Sequence, residues 1–505
     1  MHSDSLRTVA SPKANCIYPM LLLIGLASLP YLIAVSSRGP GLSPDSLTYF
    51  HIASDLIRNG GTGKTVFPPG YPALIAAVSK LSSSLNLAAA IVNYLCLCVF
   101  IYCVYGICRT LPLSLTATVL VVLFLAGHPS MQSLWQMAWS EAAYMPLFGV
   151  FLYSAINPNK RTPRALALLL ALSWSAMFCV RYAAIGMIPV ALASLWMCAT
   201  TARQRIEGAA VFGICIVCPV LLILAHNMSS DGSWLGPRAP SQDTLVFALT
   251  QVAAAFKSWL VVAPQWRDFL PGRLLGTLAT GTVLLCLLRA PIEPGIASRA
   301  ASLLATATVL HVLLLIYAQI STVLDPIADR LLTPALMPIA ILGGIIVDKW
   351  IMVAAPSLRH RLATGIILIS LACNYGYSMQ RAAIIRQHGS GYNTTVVWEG
   401  DEVRKIEELS QQGYLVLSDD PLRLNYALGY SEWLKVGTLP GRPRYRQTGV
   451  DDGFEKFQEN IAARGGVIVI WDQKQAWAVA AVASVPAHLQ SANYQYATYV
   501  VDRVK

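Results

Sequence analysis

Long apolar runs recur through the first three quarters of the chain, and short polar links separate them. A helix needs about 20 consecutive apolar residues to cross the hydrocarbon core of a bilayer, and the runs are about that long. We therefore predict about eleven membrane-spanning helices. The predicted spans cover residues 17–35, 87–107, 113–128, 142–156, 165–180, 183–200, 208–227, 273–289, 300–319, 334–348 and 362–377.

The pattern changes after the last of these runs. The segment from Asp401 to Gln411 has the period of a polar helix. Tyr414 to Leu417 and Gly466 to Trp471 have the apolar composition of buried strands, and Pro421 to Tyr430 predicts a helix between them. These elements together predict a small α/β domain at the end of the chain.

Charge is distributed unevenly between a transmembrane domain, residues 1–377, and a soluble domain, residues 378–505. The chain is 55% hydrophobic and 12% charged, which is typical of a polytopic membrane protein. The transmembrane domain has 23 Lys and Arg against 12 Asp and Glu, and so carries the whole net charge of +11. The soluble domain has 14 of each and lacks the basic face that nucleic-acid binding requires, so nucleic acid is not expected as a partner.

The basic residues of the transmembrane domain collect in alternate links between the predicted spans. The basic residues of these links, 13 of the 23, are Arg7, Lys13, Arg109, Lys160, Arg161, Arg164, Arg203, Arg205, Arg289, Arg299, Lys349, Arg359 and Arg361. The positive-inside rule places such links in the cytoplasm. With an odd number of spans, the N-terminus lies inside, and the outer loop 36–70 and the soluble domain lie outside.

Asp45 is one of the few acids of the transmembrane domain, and it follows the first predicted span. Ser43 suits an N-cap, Pro44 suits the first helical position and Gly60 suits a stop. We therefore predict a helix over residues 44–59. The simplest explanation of Asp45 is structural, because an acid in the first turn interacts favourably with the helix dipole.

Helix geometry gives Asp45 a second explanation. At about 100° per residue, Asp45 lies on the same side of the helix as Tyr49 and Ile52, which is its apolar side. A carboxylate in such a place is partly desolvated and is therefore a stronger base. We expect Asp45 to accept a proton from a substrate, with Tyr49 as a substrate contact next to it.

Two further motifs lie on the predicted outer side. The turn Phe67-Pro-Pro-Gly-Tyr-Pro72 is rigid, and we expect Tyr71 within it to contact substrate, although alone the turn explains only how the chain re-enters the membrane. Glu141 stands at a span boundary, where an ionisable group is costly and is commonly functional. We predict that Glu141 is a second catalytic acid; the alternative is a structural ion pair with a nearby arginine.

Arginines on the same side are candidates for binding a phosphate. Arg181 ends one apolar run, Arg330 begins another, and Arg238 lies in a Gly-Pro-Arg loop. Arginine keeps its charge in apolar surroundings and binds phosphate through two parallel hydrogen bonds. We expect these three residues, with Tyr182, to contact substrate. The alternatives are interface snorkelling, or pairing of Arg330 with Asp325 or Asp329.

The order of these motifs resembles the GT-C superfamily. The resemblance rests on Pro-Asp-Ser-x-x-Tyr at Asp45, the Pro-Pro-Gly-Tyr-Pro turn, the Ser-Glu pair at Glu141 and Arg-Leu-Leu-x-Pro at Arg330, and covers residues 15–377. Within this superfamily, the chain is similar to bacterial relatives of protein O-mannosyltransferases and to lipid A aminoarabinose transferases. The family implies an α-helical polytopic fold in the bacterial inner membrane.

The resemblance also implies an activity, which is inverting transfer of a sugar from a polyprenyl phosphate to a hydroxyl group. The family's outer-loop carboxylate, a general base, corresponds to Asp45, and a second acid corresponds to Glu141. The eukaryotic mannosyltransferases carry an adjacent Asp-Glu pair, whereas Ser46 follows Asp45 here, so mannose and a protein acceptor are not supported by this match. A glycan, lipid or protein acceptor and a divalent cation all stay open.

Three other functions compete with the transferase. A transporter or flippase of lipid-linked sugars would place charged groups at mid-span, whereas the acids here cluster in links on one side. A polymerase or ligase of surface polysaccharide is separated only by the motifs of the 36–70 loop. A scaffold with an exported binding domain is the third alternative.

Overall fold

The computed structural model describes residues 17–501 with gaps. The longest gaps are 261–295, 425–435 and 439–457. Shorter ones fall at 63–66, 158–160, 235–239, 323–326, 352–357, 395–400, 419–423, 471–478 and 493–496 and at a few single positions. Within the described residues the chain forms two compact units, of which the first holds residues 1–40 and 48–387 and the second residues 41–47 and 388–505.

The first unit is built from helices. They are α1 (Ile17–Val35), α2 (Pro44–Asn59), α3 (Gly70–Ser79), α4 (Leu85–Thr110), α5 (Leu115–Gly127), α6 (Pro129–Gln136), α7 (Ser140–Ile156), α8 (Pro163–Val180), a 3₁₀ helix (Tyr182–Met187), α9 (Ile188–Cys198), α10 (Ala202–Asp231), α11 (Leu245–Leu260), α12 (Ile296–Ser321), α13 (Asp329–Ile351) and α14 (Leu358–His388). Helix α2 begins in the second unit, and α14 ends there.

Several of these helices are long and apolar enough to cross a membrane. Among the described residues there are six, namely α1, α4, α8, α10, α12 and α13, and a seventh if α5 and α6 form one span bent by 55°. The chain is therefore a multi-pass membrane protein. Ten of the eleven predicted spans coincide with observed helices, and the run 273–289 lies outside the described residues. The total of eleven stays a prediction.

Side-chain caps set the beginnings of four of these helices. The hydroxyl groups of Ser84, Ser114, Thr162 and Thr201 accept hydrogen bonds from backbone N–H groups in the first turns of α4, α5, α8 and α10. Helices α4, α7, α8 and α10 pack in sequence, α4 on α7, α7 on α8 and α8 on α10. Their contacts bury large side chains such as Tyr144, Phe148 and Trp174.

The helix predicted over residues 44–59 is confirmed with the same bounds. Its apolar side is also where it was expected, because Tyr49, Ile52 and Ala53 are buried while His51 is exposed. The turn at residues 67–69 leads directly into α3, a short apolar helix. The predicted outer loop 36–70 therefore contains α2, and α3 begins at its last residue.

The second unit contains a two-stranded hairpin, β1 (Gly389–Ser390) and β2 (Asn393–Thr394), and helix α15 (Asp401–Gln411). It also contains β3 (Leu415–Ser418), β4 (Val436–Thr438), β5 (Gly466–Ile470), β6 (His488–Ala492) and β7 (Ala497–Val501). These five strands form one mixed sheet in the order β4-β3-β5-β7-β6, with β3 parallel to β4 and β5 and with β7 antiparallel to β5 and β6.

The α/β character predicted for the end of the chain is confirmed. Helix α15 has the predicted bounds, and β3 and β5 fall on the two predicted strands to within one residue at each end. Every residue of β5 is buried, as its uninterrupted apolar sequence indicates. The helix predicted over 421–430 lies outside the described residues, apart from Leu424.

The segment before Asp45 belongs to this second unit. Leu42 forms a β-bridge with Gly391: its N–H donates to the Ser390 carbonyl at 3.3 Å, and its carbonyl accepts from the Tyr392 N–H at 2.8 Å. Gly391 has a φ of +61°, and a β-carbon there would collide with the Leu42 carbonyl oxygen. Only glycine satisfies both conditions. The turn of the β1–β2 hairpin can therefore pair with Leu42 in the segment before Asp45.

Candidate active site

A buried carboxylate binds two arginines in the first unit. Glu141 Oε1 lies 2.6 Å from Arg181 Nη1 and 3.2 Å from Arg330 Nε. The Glu141 side chain is 2% exposed, whereas the two arginine side chains are 22% and 20% exposed. We call these three residues the Glu141 cluster. It has two positive charges against one negative charge, and both arginines can still be reached from outside.

Breaks in the helices bring these residues together. Arg181 has an extended backbone (φ −152°, ψ 133°) between α8 and the 3₁₀ helix. The residues before α7 are also extended, at Met137 and Trp139, so that Glu141 falls in the first turn of that helix. Arg330 is the second residue of α13. Each of the three side chains therefore comes from the end of a helix.

Trp139 gives Arg330 a second contact. The Cζ atom of Arg330 lies 4.7 Å from the centre of the Trp139 ring. A guanidinium group over an indole face is attracted by the ring's negative face and is held in one plane. Arg330 is therefore oriented by a carboxylate and by an aromatic ring that are only two residues apart in sequence.

Ser140 connects the Glu141 cluster to helix α2. Its Oγ accepts a hydrogen bond from Arg181 Nη1 at 3.2 Å and donates one to Glu141 Oε2 at 3.4 Å. The hydroxyl group of Tyr49 lies 3.0 Å from the same Oγ. Since the Ser140 proton is directed to the carboxylate, Tyr49 is the donor in that pair. Tyr49 is 4% exposed, and its hydroxyl group contacts the cluster through Ser140.

Tyr71, in the first turn of α3 directly after the proline-rich turn, packs against Tyr49 and bonds to α4. Its ring packs edge-on against the ring of Tyr49 at 5.4 Å, and its hydroxyl group donates to Asn93 Oδ1 at 2.9 Å. The Asn93 amide in turn donates to the carbonyl groups of Trp135 and Met137 at 2.9 and 2.8 Å. These bonds satisfy backbone carbonyl groups at the end of α6 and in the extended segment that precedes Glu141.

Gly70 explains why the turn is close to Arg181. A β-carbon on Gly70 would lie 2.6 Å from the backbone carbonyl oxygen of Cys179, near the end of α8. The start of α3 therefore packs directly on the backbone of α8, two residues before Arg181. This contact brings the proline-rich turn close to Arg181, although the two are far apart in sequence.

Asp45 lies in the first turn of α2 and is half-buried. The start of that helix is closed by a reciprocal pair of bonds, in which the Ser43 N–H donates to Ser46 Oγ at 3.0 Å and the Ser46 N–H donates to Ser43 Oγ at 3.4 Å. Ser46 replaces the second acid of the eukaryotic mannosyltransferases, and its hydroxyl group has this capping role. Asp45 belongs to the second unit, so its position beside the Glu141 cluster stays a prediction.

The remaining predicted substrate contacts have different outcomes. The hydroxyl group of Tyr182 lies 3.4 Å from Asn227 Oδ1, and its ring packs against Phe178 at 5.5 Å. Arg238 lies outside the described residues. Over the described residues, no group of three or more His, Cys, Asp or Glu side chains is arranged as metal ligands.

Sequence reasoning missed Asn93 and Trp139. Asn93 is fully buried in α4, and a lone amide in the middle of an apolar span was the signal that could have identified it, because a buried amide needs hydrogen-bond partners. Trp139 stands beside the Ser-Glu pair that was noticed, but nothing in the sequence places it under Arg330.

No family model matches the chain, and no curated protein sequence does. Solved structures do match. The apo structure of ArnT from Cupriavidus metallidurans is 11% identical with a TM-score of 0.56, over 96% of this chain and 98% of that one. The structure of the same protein bound to undecaprenyl phosphate is 12% identical with the same TM-score and coverage.

A third match is the oligosaccharyltransferase of Archaeoglobus fulgidus, with 10% identity and a TM-score of 0.52 over 90% of this chain and 67% of that one. At such low identity the matches concern the arrangement of helices alone. The chain has the GT-C fold.

Proposed function

We propose that the chain is a membrane glycosyltransferase that moves a sugar from a polyprenyl phosphate to a hydroxyl acceptor. The Glu141 cluster is the observation that carries this proposal. Two arginines contact one buried carboxylate and are themselves 22% and 20% exposed, so their guanidinium groups lie at a place that a ligand can reach. A phosphate monoester or diester is an anion that arginines bind well.

The fold supports the class of donor. ArnT shares the arrangement of helices over almost its whole length, and one of its structures holds undecaprenyl phosphate. A donor of that class carries its own leaving group, a lipid phosphate. The protein then needs only to stabilise the charge of that phosphate and to activate the acceptor.

The reaction follows from these roles. Asp45 takes the proton from the acceptor hydroxyl group, and the oxygen attacks the anomeric carbon of the sugar from the side opposite the phosphate. The bond from that carbon to the phosphate oxygen breaks, and its electron pair goes to the phosphate. Arg181 and Arg330 stabilise this charge, and the configuration at the anomeric carbon is inverted.

Glu141 has a positioning role in this proposal. Its carboxylate contacts both arginines, and its other oxygen accepts from Ser140, so it orients the guanidinium groups. The sequence left two roles open for Glu141, a structural ion pair and a second catalytic acid. In this proposal the ion pair itself serves catalysis, because it orients the two arginines. Tyr49 and Tyr71 also have positioning roles, because both are buried, Tyr49 bonds to Ser140 and Tyr71 packs against Tyr49.

The test uses the purified full chain in vesicles, a panel of radiolabelled polyprenyl-phosphate sugars and a panel of hydroxyl acceptors. Asp45→Asn should lower the turnover rate by about 10²- to 10⁴-fold, which is the usual contribution of a general base. Asp55→Asn is the matched control, because Asp55 lies on the polar side of the same helix beside His51 at 3.4 Å, and its turnover should equal that of wild type.

Two outcomes would contradict the proposal. Transfer that persists in Asp45→Asn would remove the base from Asp45. No transfer with any donor, combined with movement of the lipid-linked sugar across the vesicle membrane, would identify a transporter. Analysis of the product's anomeric configuration tests the inversion separately.

A further inference from the structure

A second arginine-rich region lies where α8, α9 and α10 meet, at the opposite end of α8 from Arg181. Arg164 and Arg203 both pair with Glu207, at 3.1 and 2.9 Å. Arg161 lies at the same corner, since its carbonyl group accepts a weak hydrogen bond from Cys198 at the end of α9. With Arg205, this region has four arginines and one acid, and the positive-inside rule assigns these links to the cytoplasm.

Arg205 stands at a groove between α9 and α10. The groove has a volume of about 250 Å³ and is lined by Leu192, Leu195, Trp196, Arg205, Ile206 and Ala209. The Cζ atom of Arg205 lies 4.3 Å from the centre of the Trp196 ring, which keeps the guanidinium group in one orientation. Its Nε is buried and has no hydrogen-bond acceptor among the described residues.

The apolar side of the groove continues along α10. Trp196 is 62% exposed and Ile206 is 70% exposed, and Ile214 and Leu221 further along the same helix are also exposed. Residues 206–221 extend over about 22 Å of helix, which is close to the length of an acyl chain. Exposed apolar side chains on a membrane helix face lipid, and a tryptophan near the helix end marks the depth of the headgroups.

We propose that this groove binds one anionic phospholipid of the bilayer. The lipid phosphate contacts Arg205, and one acyl chain lies along the exposed side of α10. Charge favours this occupant, because the corner has three arginines in excess and its one acid is already shared by Arg164 and Arg203. Basic pockets between membrane helices on the cytoplasmic side are typical sites for such headgroups.

The test measures lipid retention and does not depend on the transferase activity. The purified full chain is delipidated and titrated with phosphatidylglycerol or with phosphatidylcholine of the same acyl chains, and bound lipid is counted by native mass spectrometry. Wild type should retain phosphatidylglycerol preferentially. Arg205→Gln should weaken this binding by about tenfold, as expected for a charge-assisted hydrogen bond to phosphate.

Arg203→Gln is the matched control. It removes the same charge two residues away, and its side chain is 86% exposed and paired with Glu207, so retention should change by less than about twofold. Equal losses in both variants would show diffuse surface charge and overturn the proposal. Unchanged retention in Arg205→Gln would overturn it as well.

A melting curve of each variant checks that the comparison uses folded protein. If Arg205→Gln does not fold, Arg205→Lys replaces it, because it keeps the charge and loses the planar fork that stacks on Trp196. Arg205→Lys should retain less phosphatidylglycerol than wild type does, but more of it than of phosphatidylcholine. Retention equal to wild type would contradict the assigned contact.

Discussion

Two glutamates of this protein each bind two arginines, yet the two sites differ in what surrounds them. The distances are similar: 2.6 and 3.2 Å at Glu141, and 3.1 and 2.9 Å at Glu207. Glu141 is 2% exposed, whereas Glu207 is 30% exposed and its partners Arg164 and Arg203 are 68% and 86% exposed. Geometry alone does not separate the two sites, but burial does.

The difference teaches where charge carries information. Glu207 pairs with Arg203 one helical turn away and with Arg164 at the start of the packed neighbour α8, so water can replace either contact at small cost. Glu141 collects partners from two distant helix ends and has no access to water. A buried carboxylate stays charged only because nearby positive groups compensate for the lost hydration. Removing any one of those groups therefore destabilises the protein strongly.

The largest effect is expected from Glu141→Gln compared with Glu207→Gln. Removing the Glu141 charge leaves two partly buried arginines without their shared partner, which should lower the free energy of unfolding by about 3–5 kcal/mol. Glu207→Gln should leave unfolding almost unchanged, because its site is solvated. Denaturant titration of both variants in the same detergent measures the difference, and similar losses would refute the comparison.

The second effect concerns Arg330 and Arg164. Arg330→Gln removes a donor that would meet the developing phosphate charge, and turnover should fall by about 10²- to 10³-fold. Arg164→Gln should retain wild-type turnover. The rate is measured per folded protein, and Arg330→Lys serves as a variant that keeps the charge. If both glutamine variants retain full turnover, the Glu141 cluster has no part in transfer.

A smaller effect is expected from Gly70→Ala, which probes how the cluster is positioned. The new methyl group would press on the Cys179 carbonyl two residues before Arg181, and this overpacking should cost about 1–3 kcal/mol of unfolding free energy. Gly61→Ala is its control, because a β-carbon at Gly61 would meet nothing within 4 Å. Equal melting temperatures for the two variants would show that the contact has no structural role.

The smallest effect is expected from Tyr49→Phe. The variant loses the hydrogen bond to Ser140, worth about 0.5–1.5 kcal/mol, so turnover should fall by about 2- to 12-fold. Tyr31→Phe loses a bond of the same kind, to the Ala90 carbonyl at 2.6 Å, and should keep wild-type turnover per folded protein. An equal loss of turnover per folded protein in both variants would show that the effect is not specific to the bond between Tyr49 and Ser140.

Much of the fold could be predicted because it depends on short-range patterns. The spans follow from runs of apolar residues, and helix 44–59 follows from its cap, its proline and its glycine stop. Helix α15 and strand β5 follow from their periodicity and apolar composition. In each case the determining residues lie within one or two turns of each other, so the sequence displays them together.

The support of the candidate site could not be predicted in the same way. Local sequence offers Asp325 and Asp329 as alternative partners of Arg330, but nothing in it indicates the ion pair with Glu141, almost two hundred residues earlier. The roles of Asn93 and Trp139 depend on contacts of the same kind. Such contacts arise from packing, and no local pattern encodes them.

The sequence by itself determined that this is a multi-pass membrane protein with an α/β end, and it identified Asp45, Glu141 and Arg330 as unusual charges in an apolar chain. It did so because a charge among apolar residues is costly and therefore conspicuous. Only the tertiary structure decided that one carboxylate serves both Arg181 and Arg330 while Glu207 stays in solvent. The energy of an ion pair depends on the water around it, and that water is excluded by residues from many distant parts of the chain.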